Sequence, residues 1–270
     1  MVLKRNKEGE LLGVTEERLG EIRKNNFGTE MKIIEYKNAD NIVVKFLDDY
    51  GYEKRTTYSN FKMGCIKNPY DKTLFGVGCL GEGKFKAYHK RESDSKVRPT
   101  QVYDVWIDML KRCYYGKGKH KQPAYYGKCV VCKEWLNFQV FAQWYEDNKY
   151  EVEGRLHVDK DILYPNCMIY SPETCILTPQ RINMLFMNKP NERGLPNGIK
   201  KQGKGYLAKY NGEELGTYKT LEEAYKNYSE KKEETIKRVA DEYKSIIPAH
   251  VYKALYAYKV DITNDKNYVA

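Results

Sequence analysis

The spacing of apolar residues changes near Pro99, and this change constrains the fold more than any other sequence feature. Before Pro99, Ile42, Val44 and Phe46 alternate with other positions, as one buried face of a β-sheet requires. After it, apolar residues recur at helical spacing, which predicts an amphipathic helix. That helical stripe consists of Val102, Trp106, Met109, Leu110 and Cys113. A chain that carries both periods predicts an α+β fold.

A length of 270 residues favours several modules over one small domain. We predict an α+β, multi-module architecture that begins with a small β-barrel-like domain. A basic helical segment follows, then a strand–strand–helix element, and finally a three-stranded sheet with C-terminal helices. The predicted modules span residues 1–87, 88–150, 151–192 and 193–270.

Positive charge is concentrated in the middle of the chain. The whole sequence has 47 Lys and Arg against 37 Asp and Glu, a net charge of +10. Residues 81–133 hold 13 basic and 5 acidic side chains, so they contribute +8 of that excess. Many of the 25 tyrosines lie beside these cations. Basic side chains interleaved with aromatic ones are typical of proteins that bind a phosphate backbone, so a nucleic acid is the expected partner. The alternative is a solvated cationic face with the tyrosines in the core. The candidate contacts in this stretch are Arg112, Lys117 and Lys119.

Two further patterns bear on location and on metals. No apolar run approaches the roughly 18 residues of a membrane span, and no apolar stretch follows the basic start, so we expect a protein of the cytoplasm with no membrane partner. The seven cysteines are then expected to be reduced. Cys129 and Cys132 have the spacing of half a zinc site. The other half would be Cys167 with Cys175, or Cys113 with His120.

Residues 156–188 carry the pattern that points to a reaction. His157, Asp159 and Asp161 lie on a predicted strand, residues 168–170 form a second, and Thr178 opens a short helix that bears Asn183. A histidine in this frame can deprotonate water. Carboxylate and amide oxygens suit a hard cation such as Mg²⁺. The candidate metal ligands are Asp159, Asp161 and Asn183.

The same segment resembles the ββα-metal motif of the HNH endonuclease family. Residues 157–159 (HVD) match the end of the family's HHID pattern, and SPETCILTPQRIN (171–183) is similar to its SPENL-to-helix half. The resemblance implies that His157 is the general base, with Mg²⁺ or Mn²⁺ as cofactor. It also implies catalytic roles for Asp159, Asn183 and, in the place of the motif's middle asparagine, Asn166. Leu156 stands where the family usually has a metal ligand. A second alignment places Asp159 and Lys160 on the family's Asp-His pair, which would keep the fold and put a lysine in the place of the base.

The C-terminal quarter resembles the DNA-binding domain of APETALA-two/ethylene-response factors. Short strand-like segments at 199–201, 206–210 and 214–218 precede a capping box formed by Thr220 and Glu223. A long helix is expected to run from there to Pro248. In that family a three-stranded sheet enters the major groove and the helix packs behind it. The resemblance therefore implies DNA contacts by Lys200, Lys201, Lys204, Tyr206, Lys209 and Tyr218.

The order of the two resemblances is similar to that in modular endonucleases of bacteriophages and mobile elements. It implies a phage-type endonuclease that hydrolyses phosphodiester bonds of duplex DNA with a divalent metal, in the cytoplasm of a bacterial host. A second hypothesis is a DNA-binding protein, regulatory or counter-defence, that has lost catalysis. A third is a protein that inhibits a host nuclease or defence system.

Overall fold

A computed structural model describes residues 17–90, 96–116 and 125–268. The chain divides into two compact units. The first, called here the N-terminal unit, comprises Met1–Phe85 together with Leu136–Gln139. The second, the C-terminal unit, comprises Lys86–Trp135 and Val140–Ala270. Both helices and several small sheets are present, so the α+β class is confirmed.

The N-terminal unit contains an antiparallel sheet in the order β1–β2–β3–β4. Its core lies where apolar side chains of β2 and β3 meet Phe61 of the following helix. That helix is capped by Thr57, whose hydroxyl accepts a hydrogen bond from the Asn60 N–H. Among the described residues, β1 and β4 each pair on one side only, so the sheet does not close into a barrel and the prediction of a barrel-like domain was wrong. The elements are β1 (Ile22–Lys24), β2 (Glu30–Asn38), β3 (Asn41–Phe46), β4 (Glu53–Thr56) and α1 (Tyr58–Met63).

The basic middle segment is built around one amphipathic helix, α2 (Gln101–Tyr114). Thr100 caps it, and four of the five residues of the predicted stripe are buried, since only Val102 is half-exposed. The Trp106 indole N–H donates to the Trp135 carbonyl at 2.7 Å, which ties α2 to the segment before the next helix. The other elements here are β5 (Tyr88–Lys90), β6 (Val97–Pro99), β7 (Val130–Val131), a 3₁₀ turn (Glu134–Leu136) and α3 (Phe138–Asn148).

The strand–strand–helix element differs from the prediction in its pairing. Strand β8 (Leu156–Asp159) pairs antiparallel with β10 (Ile176–Pro179), so that His157 lies opposite Thr178. The predicted partner, β9 (Ile169–Tyr170), instead pairs in parallel with β7. Thr178 belongs to β10, and Pro179 is the N-cap of α4 (Gln180–Leu185), one residue later than predicted.

The C-terminal quarter has the predicted three strands in the order β11–β12–β13. One face packs on α5, where Ile199, Ala208 and Tyr228 are buried together. The predicted capping box between Thr220 and Glu223 is present. The helix ends at Glu242, earlier than predicted. The elements are β11 (Ile199–Gln202), β12 (Gly205–Tyr210), β13 (Glu213–Tyr218), α5 (Leu221–Glu242), α6 (Ala249–Ala257) and a 3₁₀ turn (Ile262–Asn264). No helix in the described ranges combines the length and apolar character needed to cross a bilayer.

Candidate ligand cavity and nucleic-acid interface

A cavity of about 630 Å³ lies within the C-terminal unit. Its walls come from the end of β8, from α2, α4 and α5, and from the segment that follows α6. Five of the residues singled out in the sequence line it, although they are spread over more than seventy positions. These are Arg112, Asp159, Asp161, Asn166 and Asn183.

His157, the predicted general base, is not among the residues that line this cavity. Its side chain is half-buried, and its Nε2 atom is buried with no hydrogen-bond partner in the described part of the chain. Burial lowers the pKa of His157, and the nearby guanidinium groups of Arg155 and Arg112 lower it further. The imidazole is therefore neutral at pH 7. The structure brings Asp159 and Asn183 to one cavity and leaves His157 outside it.

Asp159 closes the turn at the end of β8. Its Oδ1 accepts hydrogen bonds from the backbone N–H groups of Asp161, at 2.9 Å, and Ile162, at 2.8 Å. Burial raises the pKa of Asp159 to about 6, and the charge of Asp161 adds to the shift. The role visible in these contacts is that of a buried turn-capping carboxyl group.

Lys160 is buried and forms an ion pair with Asp161, Nζ to Oδ1 at 2.7 Å. The same ammonium lies 5.6 Å from the ring centroid of Tyr125 and 5.7 Å from that of Tyr170. Burial alone would lower the pKa of Lys160, but attraction by Asp161 and their hydrogen bond outweigh it, so the pKa is raised. Lys160 is thus a charged group enclosed by an acid and two aromatic rings.

These contacts bear on the expected Mg²⁺ or Mn²⁺ site. Asp159 Oδ1 already accepts two N–H groups, and Asp161 Oδ1 faces an ammonium where a cation would have to bind. Asn166 has a left-handed backbone, φ 60°, and donates to the Asn264 side chain at 3.0 Å. Within the described ranges, no group of three or more His, Cys, Asp or Glu is placed to hold a metal ion. In this arrangement the Oδ1 atoms of Asp159 and Asp161 are already occupied by donors from the protein.

The zinc candidates Cys129 and Cys132 flank β7. Cys129 is buried with its Sγ 3.6 Å from the Met168 Sδ. Burial raises the pKa of both thiols, which favours the protonated form over the thiolate that zinc requires. His120, one possible partner, lies outside the described residues.

Sequence reasoning missed four cavity residues that come from distant segments: Tyr225, Lys232, Tyr258 and Lys266. A signal existed for Lys232, because it falls four residues after Tyr228 and seven after Tyr225, on the buried stripe of α5. A lysine on such a stripe must face either a partner or a polar space. No comparable pattern marks Lys266, which lies beyond the last helix.

The hairpin of β11 and β12 carries five of the predicted DNA contacts, of which four are lysines. Lys200, Lys201 and Lys204 are exposed, and Lys209 is half-buried in an ion pair with Glu214 at 2.6 Å. Alternation along the strands places Lys200 and Lys209 on the face away from α5. Gln202 is exposed on that same face. The Thr217 hydroxyl donates a hydrogen bond to the Gln202 Oε1 atom at 2.7 Å, and Gly205 lies between the two side chains. A Cβ at Gly205 would lie 2.5 Å from the Tyr218 carbonyl oxygen, so only glycine fits at this position.

The two predicted aromatic contacts lie on the opposite face. Tyr206 and Tyr218 pack against the core between the sheet and α5. Lys201 lies with its Nζ 3.8 Å from the ring centroid of Tyr206, so it too belongs to that side. The outer face therefore presents Lys200, Gln202 and Lys209, with Lys204 in the turn, and not the tyrosines.

The predicted contacts of the basic middle segment divide into two groups. Arg112 of α2 lines the cavity and shares a hydrogen bond with the buried Tyr170 hydroxyl. Burial lowers the pKa of Arg112, but the hydrogen bond with Tyr170 and the combined attraction by Tyr170, Tyr125 and Asp108 outweigh it, so the pKa is raised. Lys117 and Lys119 lie outside the described residues.

Comparison with known proteins gave no match to a family model, to a curated protein or to a solved structure.

Proposed function

We propose that this protein binds duplex DNA through the β11–β12 hairpin. The observation that carries the proposal is the charge of this hairpin: residues 199–210 contain four lysines and no carboxylate. Lys200 on the outer face and Lys204 in the turn are both exposed, while α5 supports the opposite face of the sheet. Neutralising phosphates with such cations releases counterions, which supplies affinity without sequence preference.

Sequence preference would come from Gln202. A glutamine side chain can make two hydrogen bonds to the major-groove edge of adenine. Gln202 is exposed on the outer face beside Lys200, and its contact with Thr217 holds it there before DNA arrives. In this proposal the lysines position the sheet and Gln202 reads a base.

In the same proposal the strand–strand–helix element is a scaffold and does not cleave DNA through His157. The support is the position of His157 outside the cavity and the ion pair that occupies Asp161. Metal-dependent cleavage is the second candidate, because Asp159, Asp161 and Asn183 line one cavity. Metal binding there would require the ion pair between Lys160 and Asp161 to break.

The DNA proposal is tested by binding to a labelled duplex at several salt concentrations. We expect Lys200→Ala/Lys204→Ala to weaken affinity at least tenfold at low salt and to reduce the slope of log K against log salt by about 2. Lys226→Ala/Lys253→Ala is the matched control, because it removes two exposed lysines from α5 and α6. Equal losses in both double variants, or none in either, would contradict the proposal. If the wild type binds no DNA at low salt, a protein partner becomes the better hypothesis.

A further inference from the structure

The cavity contains both acidic and basic side chains, and the two sets differ in whether other groups of the protein pair with them. Asp161 is paired with Lys160. Asp265 accepts hydrogen bonds from the backbone N–H of Asn197 and of Asn267, each at 2.9 Å. Asp261 accepts from the Thr263 N–H and hydroxyl. Together with the turn-capping Asp159, the cavity's carboxylates all have donors from the protein itself.

Three cations that line the cavity have no carboxylate within ion-pair distance. Over the described ranges, no carboxylate lies within 4.0 Å of Arg112, Lys232 or Lys266, although each contributes to the wall. Lys266 has its Nζ 5.3 Å from the ring centroid of Tyr125, and Lys232 has its Nζ 5.9 Å from that of Tyr228. Burial lowers the pKa of both lysines, and the charges of Asp265 near Lys232 and of Asp161 near Lys266 offset this only in part. The cavity wall carries five Lys or Arg side chains and four Asp side chains. Within the described residues Lys160 and Asp161 form the one ion pair between these two sets, so a bound anion would lie beside cations that no carboxylate contacts.

The rest of the wall suits an aromatic ring with polar edges. Tyr125 and Tyr258 contribute ring surface. The Asn183 side chain, half-buried at the wall, makes no hydrogen bond within the described residues and so offers both a donor and an acceptor. The volume of about 630 Å³ falls in the range of roughly 300–1,000 Å³ that holds small organic ligands.

We propose that this cavity binds a nucleoside monophosphate without a metal ion. Arg112, Lys232 and Lys266 hold the phosphate, and Tyr125, Tyr258 and Asn183 contact the base. The inference goes beyond the DNA proposal, since the outer face of the sheet does not contribute to this site.

The experiment is calorimetric titration of the full chain in EDTA at low salt. The probes are deoxynucleoside monophosphates, the corresponding nucleosides and inorganic phosphate. We expect a monophosphate to bind at least tenfold more tightly than its nucleoside and than inorganic phosphate. We expect Lys232→Gln and Lys266→Gln each to weaken it tenfold or more. Lys226→Gln, an exposed lysine of α5 away from the cavity, should bind as the wild type does.

Several results would overturn the proposal: no binding by any monophosphate, binding only when Mg²⁺ is added, or unchanged affinity in both lysine variants. Inorganic phosphate that binds as tightly as a nucleotide would also contradict it, because the base would then add nothing. Lys266 is exposed, so its substitution keeps the test valid even if Lys232→Gln fails to fold. Lys200→Ala/Lys204→Ala should still bind the nucleotide, so failure of the DNA proposal and failure of this one are distinguishable.

Discussion

Lys160 and Asp161 are adjacent in sequence and form an ion pair inside the cavity, Nζ to Oδ1 at 2.7 Å. The Lys160 side chain is 5% exposed and that of Asp161 is 30% exposed. In the second alignment with the HNH motif, Lys160 takes the place of the histidine base. The side chain at that position lines the cavity, whereas His157 does not. At this position the cavity therefore presents an ammonium that is already paired with a carboxylate.

Asp161→Ala should destabilise the protein, because it leaves the Lys160 ammonium buried without its carboxylate. We expect a loss of about 3 kcal/mol in the free energy of unfolding, near the low end for a broken buried pair because Asp161 is partly solvated. Lys160→Met should cost less, since it removes the buried charge and keeps the side-chain volume. Urea denaturation of the two variants and the wild type measures both. A larger loss for Lys160→Met would show that Asp161 is not the main partner.

Asp159→Asn should stabilise the protein increasingly as pH rises. The pKa of Asp159 is raised to about 6 in the folded state, so between pH 4 and 6 the folded protein binds more protons than the unfolded chain. The contribution of Asp159 to stability therefore falls through this window, whereas asparagine keeps an acceptor for the turn and does not titrate. The variant should gain up to about 3 kcal/mol over the wild type between pH 4 and 7. Urea denaturation of both proteins at pH 4 and at pH 7 tests this. A difference in the free energy of unfolding that does not change with pH would contradict it.

Supercoiled plasmid incubated with Mg²⁺ or Mn²⁺ should be bound and not cut. The reason is that the Asp161 carboxylate is occupied by Lys160 and the predicted base lies outside the cavity. Agarose gels of the wild type and His157→Ala, with a binding assay in parallel, provide the measurement. Cleavage abolished by His157→Ala would establish the endonuclease hypothesis in its first form. Cleavage that survives this change and is lost in Asp159→Asn would instead point to the cavity carboxylates.

Gly198→Ala should be much more harmful than Gly212→Ala. Both glycines have a left-handed backbone, φ 81° and 88°, so alanine costs about 1 kcal/mol of strain at either position. At Gly198 the new Cβ would also overlap the Tyr228 ring and lie 2.8 Å from the Lys209 carbonyl oxygen, whereas at Gly212 it meets nothing within 4 Å. Thermal unfolding of the two variants should separate them by several degrees. Equal melting temperatures would mean that Tyr228 of α5 does not pack closely against Gly198.

The local elements were predictable where one residue pattern decides them. The stripe through Trp106 and Cys113 requires a helix, and Thr220 with Glu223 marks the start of α5 whatever the tertiary context. Strand pairing was not predictable for β9. Two residues are too few for alternation to select a partner, and its parallel pairing with β7 depends on packing that brings residues 130 and 169 together.

The candidate site was predictable only in part for a related reason. Alternation along β8 shows that His157 and Val158 point to opposite sides. It does not show which side holds a cavity, because that depends on where α2 and α5 pack. Lys232 and Lys266 come from segments more than seventy residues after β8. No spacing within residues 156–188 could therefore have revealed that these two lysines line the cavity.

Helix α5 belongs to both proposed binding regions. Tyr228 packs beneath the sheet, and Lys232, one helical turn later, lines the cavity. Because one continuous helix supports both the sheet and the cavity wall, a substitution that destabilises α5 should weaken the two regions together.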